Sequence, residues 1–376
     1  MLIDNDALKP QNNNLTLLRL ALASAVIWTH SIWRITGIEG DDGFAPFIGV
    51  PISSFAVDGF FFLSGLLVYS SLLRQRGVKN FALARLARLW PALALSVIVT
   101  VAAGILFTSV SAEDYFSGAT SQFLIGTLTL TGGHYALTGV YCGPNLCNVN
   151  GSLWTITWEV RCYILLALLS ILGLSRPNLM KRIILPATFL GAIAYHIPGI
   201  QAAIEGALGH GVAYNLRLVD RLWTMFALGI AAFVWRDRIT LSWLACGALL
   251  IATVAANRFG LDQWHIRSVF TGYFVLCAGF LSAKRGAISA TWPDYSYGMY
   301  IYAFPVMMLL AAIIPFGSYV PLALATFACT LPCAALSWHL LEEPVLNLVR
   351  NRRKQQPLPT AAPITPDMPQ EEGAKS

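Results

Sequence analysis

Charged residues are scarce in this chain. Of its 376 residues, 12% are charged and 56% are hydrophobic. A soluble globular protein carries roughly 25% charged residues, so the composition excludes an ordinary series of soluble domains. The net charge of +6 does not indicate a nucleic-acid-binding protein, because the basic residues fall in short clusters between apolar segments. Asp4 and Asp6 stand where a signal peptide would carry basic residues, and we expect no cleaved leader. One integral membrane domain fits these features.

Long apolar segments separated by short polar breaks predict about ten transmembrane helices, since one crossing needs about 20 apolar residues. The fold class is therefore all-α and polytopic. We place residues 1–14 before the membrane domain, 15–349 within it and 350–376 in a disordered cytoplasmic tail. The predicted spans are 15–33, 52–73, 83–107, 153–174, 182–197, 218–234, 241–256, 266–281, 297–314 and 320–349.

The distribution of Lys and Arg predicts the orientation of these spans. With the N-terminus inside, eighteen of the 25 basic residues are assigned to the inner side, five to the outer side and two to span interiors. Basic residues accumulate in cytoplasmic segments of membrane proteins. Both termini are therefore predicted to lie in the cytoplasm, and the membrane is expected to be a bacterial inner membrane.

The cysteines predict no metal centre. Five of the seven lie in apolar helical sequence, without His or carboxylate residues at ligand spacing. Cys142 and Cys147 bracket a Gly/Pro turn in the long outer loop 108–151. A disulfide between them on an oxidising face and two free thiols in a mobile loop are equally acceptable readings of this stretch.

Ionisable residues inside apolar spans are the candidates for function, because their burial in a bilayer is costly. Arg19 and His30 are eleven residues apart, which places them on one face of the first span. Arg19 either serves a site or extends to the interface. His30 is either a structural residue near the aromatic belt or a base that accepts a hydroxyl proton. Asp58, in the second span, is predicted to lie at the depth of His30 and to orient it, unless it is merely hydrated from outside.

The fourth span opens with a similar polar group. Trp154 and Trp158 share one face and, taken alone, resemble an interfacial aromatic belt. Glu159 and Arg161 lie one turn deeper, and Glu159 is predicted at the level of His30. On the opposite side of the membrane, Arg85 and Arg88 are neighbours on one helix face and suit phosphate binding, although they also serve as topology charges.

These motifs, in this order, resemble the acyltransferase 3 family of polytopic membrane acyltransferases, bacterial members of which modify cell-surface glycans. The resemblance covers residues 13–344. The motifs that carry it are Arg19 with His30, the acidic-Phe-Phe-Ser-Gly stretch of 58–65 containing Ser64, Arg85 with Arg88, the Ser-Leu-Trp…Trp-Glu segment of 152–159, Ser-Tyr-x-x-Tyr with Tyr297 and Tyr300, and the closing Glu-x-Pro of 342–344. Many members have a His soon after the Tyr element, where this chain reads Tyr302-Ala-Phe-Pro305. Many also carry an extracytoplasmic hydrolase-like domain, which we do not expect here.

The resemblance implies an acyl-coenzyme A donor, with acetyl as the default group, bound from the cytoplasm, and a glycan hydroxyl reached from outside. It assigns catalysis to His30 and donor binding to the arginine pair. Our hypothesis adds Asp58, Glu159 and Arg19 to the catalytic group and Ser64 to the donor site. A direct transfer and an acyl-enzyme on His30 or Ser64 both remain open. The acceptor residues are expected to be Trp154, Trp158, Arg161, Tyr297 and Tyr300.

Two other classes of function fit the intramembrane charges. A transporter for a solute or lipid-linked sugar would use them as a permeation path, but no inverted repeat is evident. A scaffold for polysaccharide synthesis and export machinery would need no catalytic histidine. The expected partners of the enzyme are the bilayer, acyl-coenzyme A and the glycan, with no nucleic acid and no metal.

Overall fold

The computed structural model describes residues 2–4, 6–38, 40–75, 77–142, 145–261, 264–285 and 287–354. Helix dominates this part of the chain. Residues 350–354, which we placed in the predicted tail, are helical. The domain boundaries stay predictions, and the remainder of the predicted tail, 355–376, lies outside the described residues.

The helices of the described chain follow one another with short connections. They are α1 (Leu15–Thr36), α2 (Ala45–Ile48), α3 (Ile52–Arg74), α4 (Val78–Gly104), α5 (Ala112–Tyr115), α6 (Gly118–Leu128), α7 (Trp154–Ile171), α8 (Pro177–Leu179), α9 (Leu185–Tyr195), α10 (Ile200–Leu208), α11 (His210–Val234), α12 (Trp243–Arg258), α13 (Trp264–Leu276), α14 (Ser296–Ile313), α15 (Tyr319–Ser337) and α16 (Glu343–Lys354). Shorter 3₁₀ or π turns occupy Pro10–Asn12, Met180–Ile184, Cys277–Leu281, Ser282–Arg285 and Trp338–Glu342.

Each predicted span coincides with one of these helices or helix pairs, but only six helical segments are long and apolar enough to be counted as crossings by themselves. They are Leu15–Thr36, Ile52–Arg74, Val78–Gly104, Trp154–Ile171, Ser296–Ile313 and Tyr319–Arg352. A seventh candidate combines Pro177–Tyr195 with Ile200–Leu208, which meet at a bend of 88°. Several apolar helices make this a multi-pass membrane protein, whereas the number ten stays a prediction.

The outer surface of the bundle is rich in exposed apolar side chains. Leu244, Leu106 and Phe259 are 85%, 80% and 77% exposed, respectively. So large an exposed apolar surface is unfavourable in water and indicates that the surface contacts an apolar environment. Lipid contact accounts for it, because hydrocarbon chains cover such side chains without a hydrophobic penalty.

Close packing of α3 against α11 forms the centre of the bundle. A Cβ added at Gly65 would overlap the carbonyl of Phe226, and one added at Gly229 would overlap the carbonyl of Phe62. Small residues let helix backbones approach closely in membranes. Gly65 permits such an approach, and the contact fixes the position of Ser64 on α3.

The segments predicted to face the cytoplasm meet at one end of the bundle. The Ile3 amide donates to the Arg236 carbonyl at 3.3 Å, and the Asn14 amide donates to the Gly279 carbonyl at 2.8 Å. The Leu17 amide donates to the Ser289 hydroxyl at 3.2 Å. This common end agrees with the alternation of the predicted topology, while the side of the membrane on which it lies stays a prediction.

The opposite end is organised by Asp42. Its carboxylate accepts the Thr29 hydroxyl at 2.6 Å and the Ile52 amide at 2.8 Å. The first amides of a helix lack intrahelical partners, and an acidic group there is favourable. Asp42 therefore fixes the start of α3 against the last turns of α1, where His30 lies.

The long loop predicted at 108–151 contains more structure than expected. Besides α5 and α6, it holds the antiparallel strands β1 (Ala136–Cys142) and β2 (Asn145–Asn148). The register pairs Ala136 with Asn148 and Cys142 with Asn145. Cys142 and Cys147 form a disulfide, with Cα atoms 4.8 Å apart, which confirms the disulfide reading. The hairpin is the one departure from an all-α fold among the described residues.

Candidate active site

Two neighbouring cavities contain most of the residues singled out from the sequence. The first, which we call the arginine cavity, has a volume of about 140 Å³. Its lining includes Arg19, Ser64, Arg85, Arg88, Glu159, Tyr297 and Tyr300. These side chains come from α1, α3, α4, α7 and α14, so the packing of five helices creates the site.

Arg88 is held inside a network of acidic groups. Its Nη1 donates to Glu342 and its Nη2 to Asp294, both at 2.8 Å. Its guanidinium also lies 5.5 Å from the Tyr297 ring centre and 5.4 Å from that of Trp338. Arg88 is thus paired with two carboxylates, and its predicted part in donor binding stays a prediction.

Asp294 joins two arginines of the cavity wall. It lies 3.3 Å from the Nη2 of Arg19 and also accepts the Ser296 hydroxyl at 2.6 Å. Burial alone would raise the pKa of Asp294, but the positive charges of Arg19 and Arg88 outweigh it and lower the pKa to about 2. The carboxylate is therefore ionised and anchors Arg19 at the beginning of α14. Of the two readings of Arg19, this contact in the cavity wall favours the one in which Arg19 serves a site.

Arg85 differs from its neighbour in having no carboxylate partner among the described residues. Its guanidinium lies 6.0 Å from the Tyr163 ring centre, and its Nε is buried without a hydrogen bond. An unsatisfied buried donor is costly. Of the predicted arginine pair, Arg85 is the member that leaves binding capacity for an anionic ligand.

Ser64 and Glu159 are in direct contact inside the arginine cavity. The Ser64 hydroxyl donates to Glu159 Oε1 at 2.6 Å. The Tyr163 hydroxyl donates to the same carboxylate oxygen in a short hydrogen bond. A hydroxyl hydrogen-bonded to a carboxylate is an arrangement that covalent catalysis can use.

His30 lines the second cavity, which we call the His30 pocket. This small cavity includes Ser152, Tyr300 and Phe304 in its lining. The imidazole meets the Phe304 ring edge to face, with ring centres 5.0 Å apart. Tyr300 lines both cavities, and its hydroxyl hydrogen-bonds the Thr155 hydroxyl at 2.7 Å. The side chain of Tyr300 is therefore a shared wall between the two.

Neither predicted acidic partner contacts His30. Asp58 is bound by Arg221, whose Nε donates to its carboxylate at 2.8 Å and whose Nη2 donates to the Ser54 carbonyl at 3.0 Å. Glu159 is used by Ser64 and Tyr163. Within the described chain the imidazole has no hydrogen bond to either acid, and the prediction that Asp58 or Glu159 orients His30 stays a prediction. Instead, Asp58 pairs with the cation Arg221, and Glu159 accepts hydrogen bonds from the hydroxyls of Ser64 and Tyr163.

The aromatic residues in the first turns of α7 do not line either cavity. The guanidinium of Arg161 lies 4.3 Å from the Trp158 ring centre, a cation–π contact. Trp154, Trp158 and Arg161 are not among the residues that line either cavity. Tyr297, by contrast, lines the arginine cavity, and its hydroxyl donates to the Leu89 carbonyl at 2.8 Å. The structure therefore separates the predicted acceptor residues into two groups.

The sequence reasoning missed several polar residues of this region. Asp294 follows a proline just before α14. Only its position beside a predicted span could have indicated from the sequence that it belongs to the site. Arg221 was counted as an outer topology charge, and Tyr163 sits in an otherwise apolar helix. Glu342 was noted as part of a motif and given no role. No group of three or more His, Cys, Asp or Glu residues in the described chain could hold a metal ion.

Comparison with known proteins identifies the chain's relationships. Residues 12–339 match the family described as "Acyltransferase domain". The chain is 26% identical to "Nodulation protein 10" of Rhizobium leguminosarum bv. viciae, covering 92% of this chain and 96% of that protein. It is also 26% identical to the "O-acetyl transferase" of Shigella phage Sf6, over 77% of this chain and 83% of the relative. No solved structure matches. On the strength of the match across residues 12–339, the chain belongs to the acyltransferase 3 family and is an acyltransferase.

Proposed function

We propose that the protein is a membrane O-acetyltransferase. It moves an acetyl group from cytoplasmic acetyl-coenzyme A to a hydroxyl of an exported polysaccharide or other surface glycan, with His30 as general base. Family membership and the relative named as an O-acetyl transferase support transfer of an acyl group over the transporter considered from the sequence. The proposal places the enzyme in a bacterial inner membrane, beside polysaccharide synthesis and export machinery.

The observation that carries this proposal is the shared wall formed by Tyr300. One side of it is a cavity with arginines, a serine and a carboxylate, and the other holds an imidazole. A reaction between a donor entering from one side of the membrane and an acceptor entering from the other needs two such compartments in contact. A solute path would need one continuous compartment instead.

Donor binding is assigned mainly to Arg85. Its buried, unpaired Nε fits a phosphate oxygen, and an arginine–phosphate pair is a strong charge-assisted interaction. Arg88 and Arg19 take part indirectly, because Asp294 and Glu342 already hold them in place. Their role is to fix the wall against which the pantetheine arm lies.

The chemistry requires one proton acceptor near the acceptor hydroxyl. His30 takes the hydroxyl proton, the oxygen attacks the thioester carbonyl, a C–O bond forms and the C–S bond breaks. The coenzyme A thiolate leaves on the donor side. General-base catalysis of this kind contributes typically 10²–10⁴-fold, so removing His30 is expected to slow transfer by roughly that factor.

The contact between Ser64 and Glu159 favours a second route in two steps. Glu159 takes the proton of Ser64, whose oxygen attacks the thioester; a C–O bond forms, the C–S bond breaks and coenzyme A leaves as the thiolate. The glycan oxygen then attacks the acetyl ester while His30 takes its proton, and Ser64 leaves by recovering its proton from Glu159. In this route Ser64→Ala abolishes both thioester cleavage and transfer. In the direct route it retains thioester chemistry, and His30→Ala is the variant that loses transfer.

The test uses purified full-length protein in nanodiscs with acetyl-coenzyme A and a glycan acceptor. His30→Ala is compared with His210→Ala, whose imidazole is 84% exposed. We expect loss of glycan acetylation in the first and retention in the second. Equal activity of His30→Ala and the unchanged protein would refute the assignment of the base. NMR of surface polysaccharide from a deletion strain, read for lost O-acetyl signals, identifies the acceptor.

A further inference from the structure

A large apolar cleft lies beside the His30 pocket. It has a volume of about 610 Å³. Its walls are formed mainly by α4, α14, α15, the turn at Trp338–Glu342 and the β1–β2 hairpin. Leu95, Val99, Leu309 and Leu336 are typical of its lining. The cleft is several times larger than the arginine cavity, and its apolar lining suits a hydrocarbon chain.

Arg34 is the one charged residue among the described residues that line this cleft. Its Nε is buried without a hydrogen-bond partner, and it forms no ion pair within the described chain. A lone guanidinium in the lining of an apolar cleft complements a ligand that combines a long apolar chain with an anionic group, because arginine binds phosphate strongly.

The position of Arg34 relates the cleft to the proposed base. Arg34 follows His30 by four residues on α1, so the two side chains lie on one helix face about 6 Å apart along the axis. Phe304 packs on His30, and the next residue of α14, Pro305, lines the cleft. A group bound by Arg34 is therefore held one helical turn from the imidazole.

We propose that the cleft binds a lipid-linked acceptor, in which a polyprenyl chain carries the glycan through a phosphate or diphosphate. The polyprenyl chain occupies the apolar cleft, the phosphate binds Arg34, and the sugar that follows the phosphate reaches the His30 pocket. This inference rests on the proposed function for its account of the sugar. The lipid commitment follows from the apolar lining together with the single cation, since a free glycan would leave both unused.

The disulfide hairpin completes the site. Cys142 and Cys147 both line the cleft, and their bond holds the two strands together over it. A crosslink restricts the conformations available to the segment it closes. The hairpin is thus a fixed part of the cleft wall rather than a passive outer loop.

Binding is tested by native mass spectrometry of the full-length protein with a C55 polyprenyl phosphate and with the uncharged C55 polyprenol. We expect the phosphate to bind about tenfold more tightly, the difference that one charge-assisted contact supplies. Arg34→Gln should abolish that preference, and Arg34→Lys should retain part of it. Equal binding of the two lipids to the unchanged protein would overturn the proposal.

A second variant probes the apolar part of the cleft. Ala103→Trp fills space along α4 at a residue of the cleft lining and should weaken binding of both C55 lipids. Leu244→Trp is the matched control, since Leu244 is 85% exposed and does not line the cleft; it should bind both as the unchanged protein does. Displacement of the polyprenyl phosphate by an equal concentration of phosphatidylglycerol would show that ordinary bilayer lipid occupies the cleft, against the proposal.

Transfer assays separate this inference from the proposed function. Arg34→Gln should reduce acetylation of a polyprenyl-diphosphate-linked glycan while leaving acetylation of the same glycan without its lipid unchanged. Equal loss on both acceptors would overturn the lipid site while keeping the acetyltransferase. Arg34-dependent lipid binding without any acetyl transfer would overturn the proposed function and leave a lipid-phosphate site.

Discussion

Replacing Glu342 by Gln should destabilise the protein far more than replacing its neighbour Glu343. Glu342 is 1% exposed and contacts Arg88 at 2.8 Å, and it also accepts the Ser337 hydroxyl at 3.1 Å. Glu343 is 47% exposed and lies 3.4 Å from His339. The two substitutions are chemically identical and one residue apart, so they differ chiefly in burial.

The magnitude follows from the environment of Arg88. Removing one partner of a buried ion pair costs roughly 3–5 kcal/mol, because the other charge stays buried. Asp294 still compensates Arg88 in the variant, so we expect the lower end, about 3 kcal/mol. That value changes the folding equilibrium by a factor on the order of 10². Glu343→Gln removes an exposed contact and should cost about 0–1 kcal/mol.

The assay is reversible unfolding in mixed detergent micelles, followed by tryptophan fluorescence, for the two single variants. A double-mutant cycle with Arg88→Gln then isolates the coupling between Arg88 and Glu342. We expect a coupling above about 1 kcal/mol for residues in one network. Equal destabilisation by Glu342→Gln and Glu343→Gln, or additivity of the cycle, would refute the reasoning.

Three further predictions use the same preparation. Gly65→Ala should prevent stable folding or sharply lower the yield of folded protein, because the added Cβ would overlap the backbone of α11. Gly247→Ala, whose Cβ would meet open space, should be neutral or stabilising; equal yields of the two variants would contradict the close helix contact. The pKa of Asp294 is lowered to about 2 from its ordinary value of 3.8, so its ionised form stabilises the fold above pH 3.8 and this contribution is lost as the pH falls towards 2. The free energy of unfolding, measured at several pH values, should therefore fall less steeply with acid in Asp294→Asn than in the unchanged protein; an equal fall in both would contradict the prediction. Arg85→Gln should raise the KM for acetyl-coenzyme A with little change in kcat, while Arg238→Gln, at an exposed position, should alter neither; a KM unaffected by Arg85→Gln would remove that residue from the donor site.

Much of the fold followed from periodic and compositional signals that are local in the chain. Apolar segments of membrane length located the helices. The absence of a side chain at Gly65 allows the close helix contact that the structure shows. The Gly/Pro turn between Cys142 and Cys147 indicated that the two thiols could approach each other. The number of crossings was less predictable, because one helix pair is bent between Tyr195 and Ile200 and charged residues interrupt the apolar sequence in the first half of α11.

The local sequence could not predict which residues pair with the buried charges. Asp58 gave a strong signal as an acid inside an apolar span, yet its partner Arg221 is 163 residues away. Arg88 was recognised, but its carboxylate Glu342 is 254 residues away. A buried charge must be compensated, and sequence reveals that need without revealing which cation or anion the packing of other helices brings nearest.

The separation of the two cavities has a chemical consequence for the proposed reaction. Under the proposed function, a thioester bound in the arginine cavity would be separated from the His30 pocket by the side chain of Tyr300, whose hydroxyl hydrogen-bonds the Thr155 hydroxyl at 2.7 Å. Water that enters the His30 pocket with the acceptor would otherwise compete with the glycan hydroxyl for the acetyl group. Under the proposed function, we therefore expect Tyr300 to move when an acceptor fills the pocket. That movement would break its hydrogen bond with Thr155 on α7, the helix that also carries Glu159.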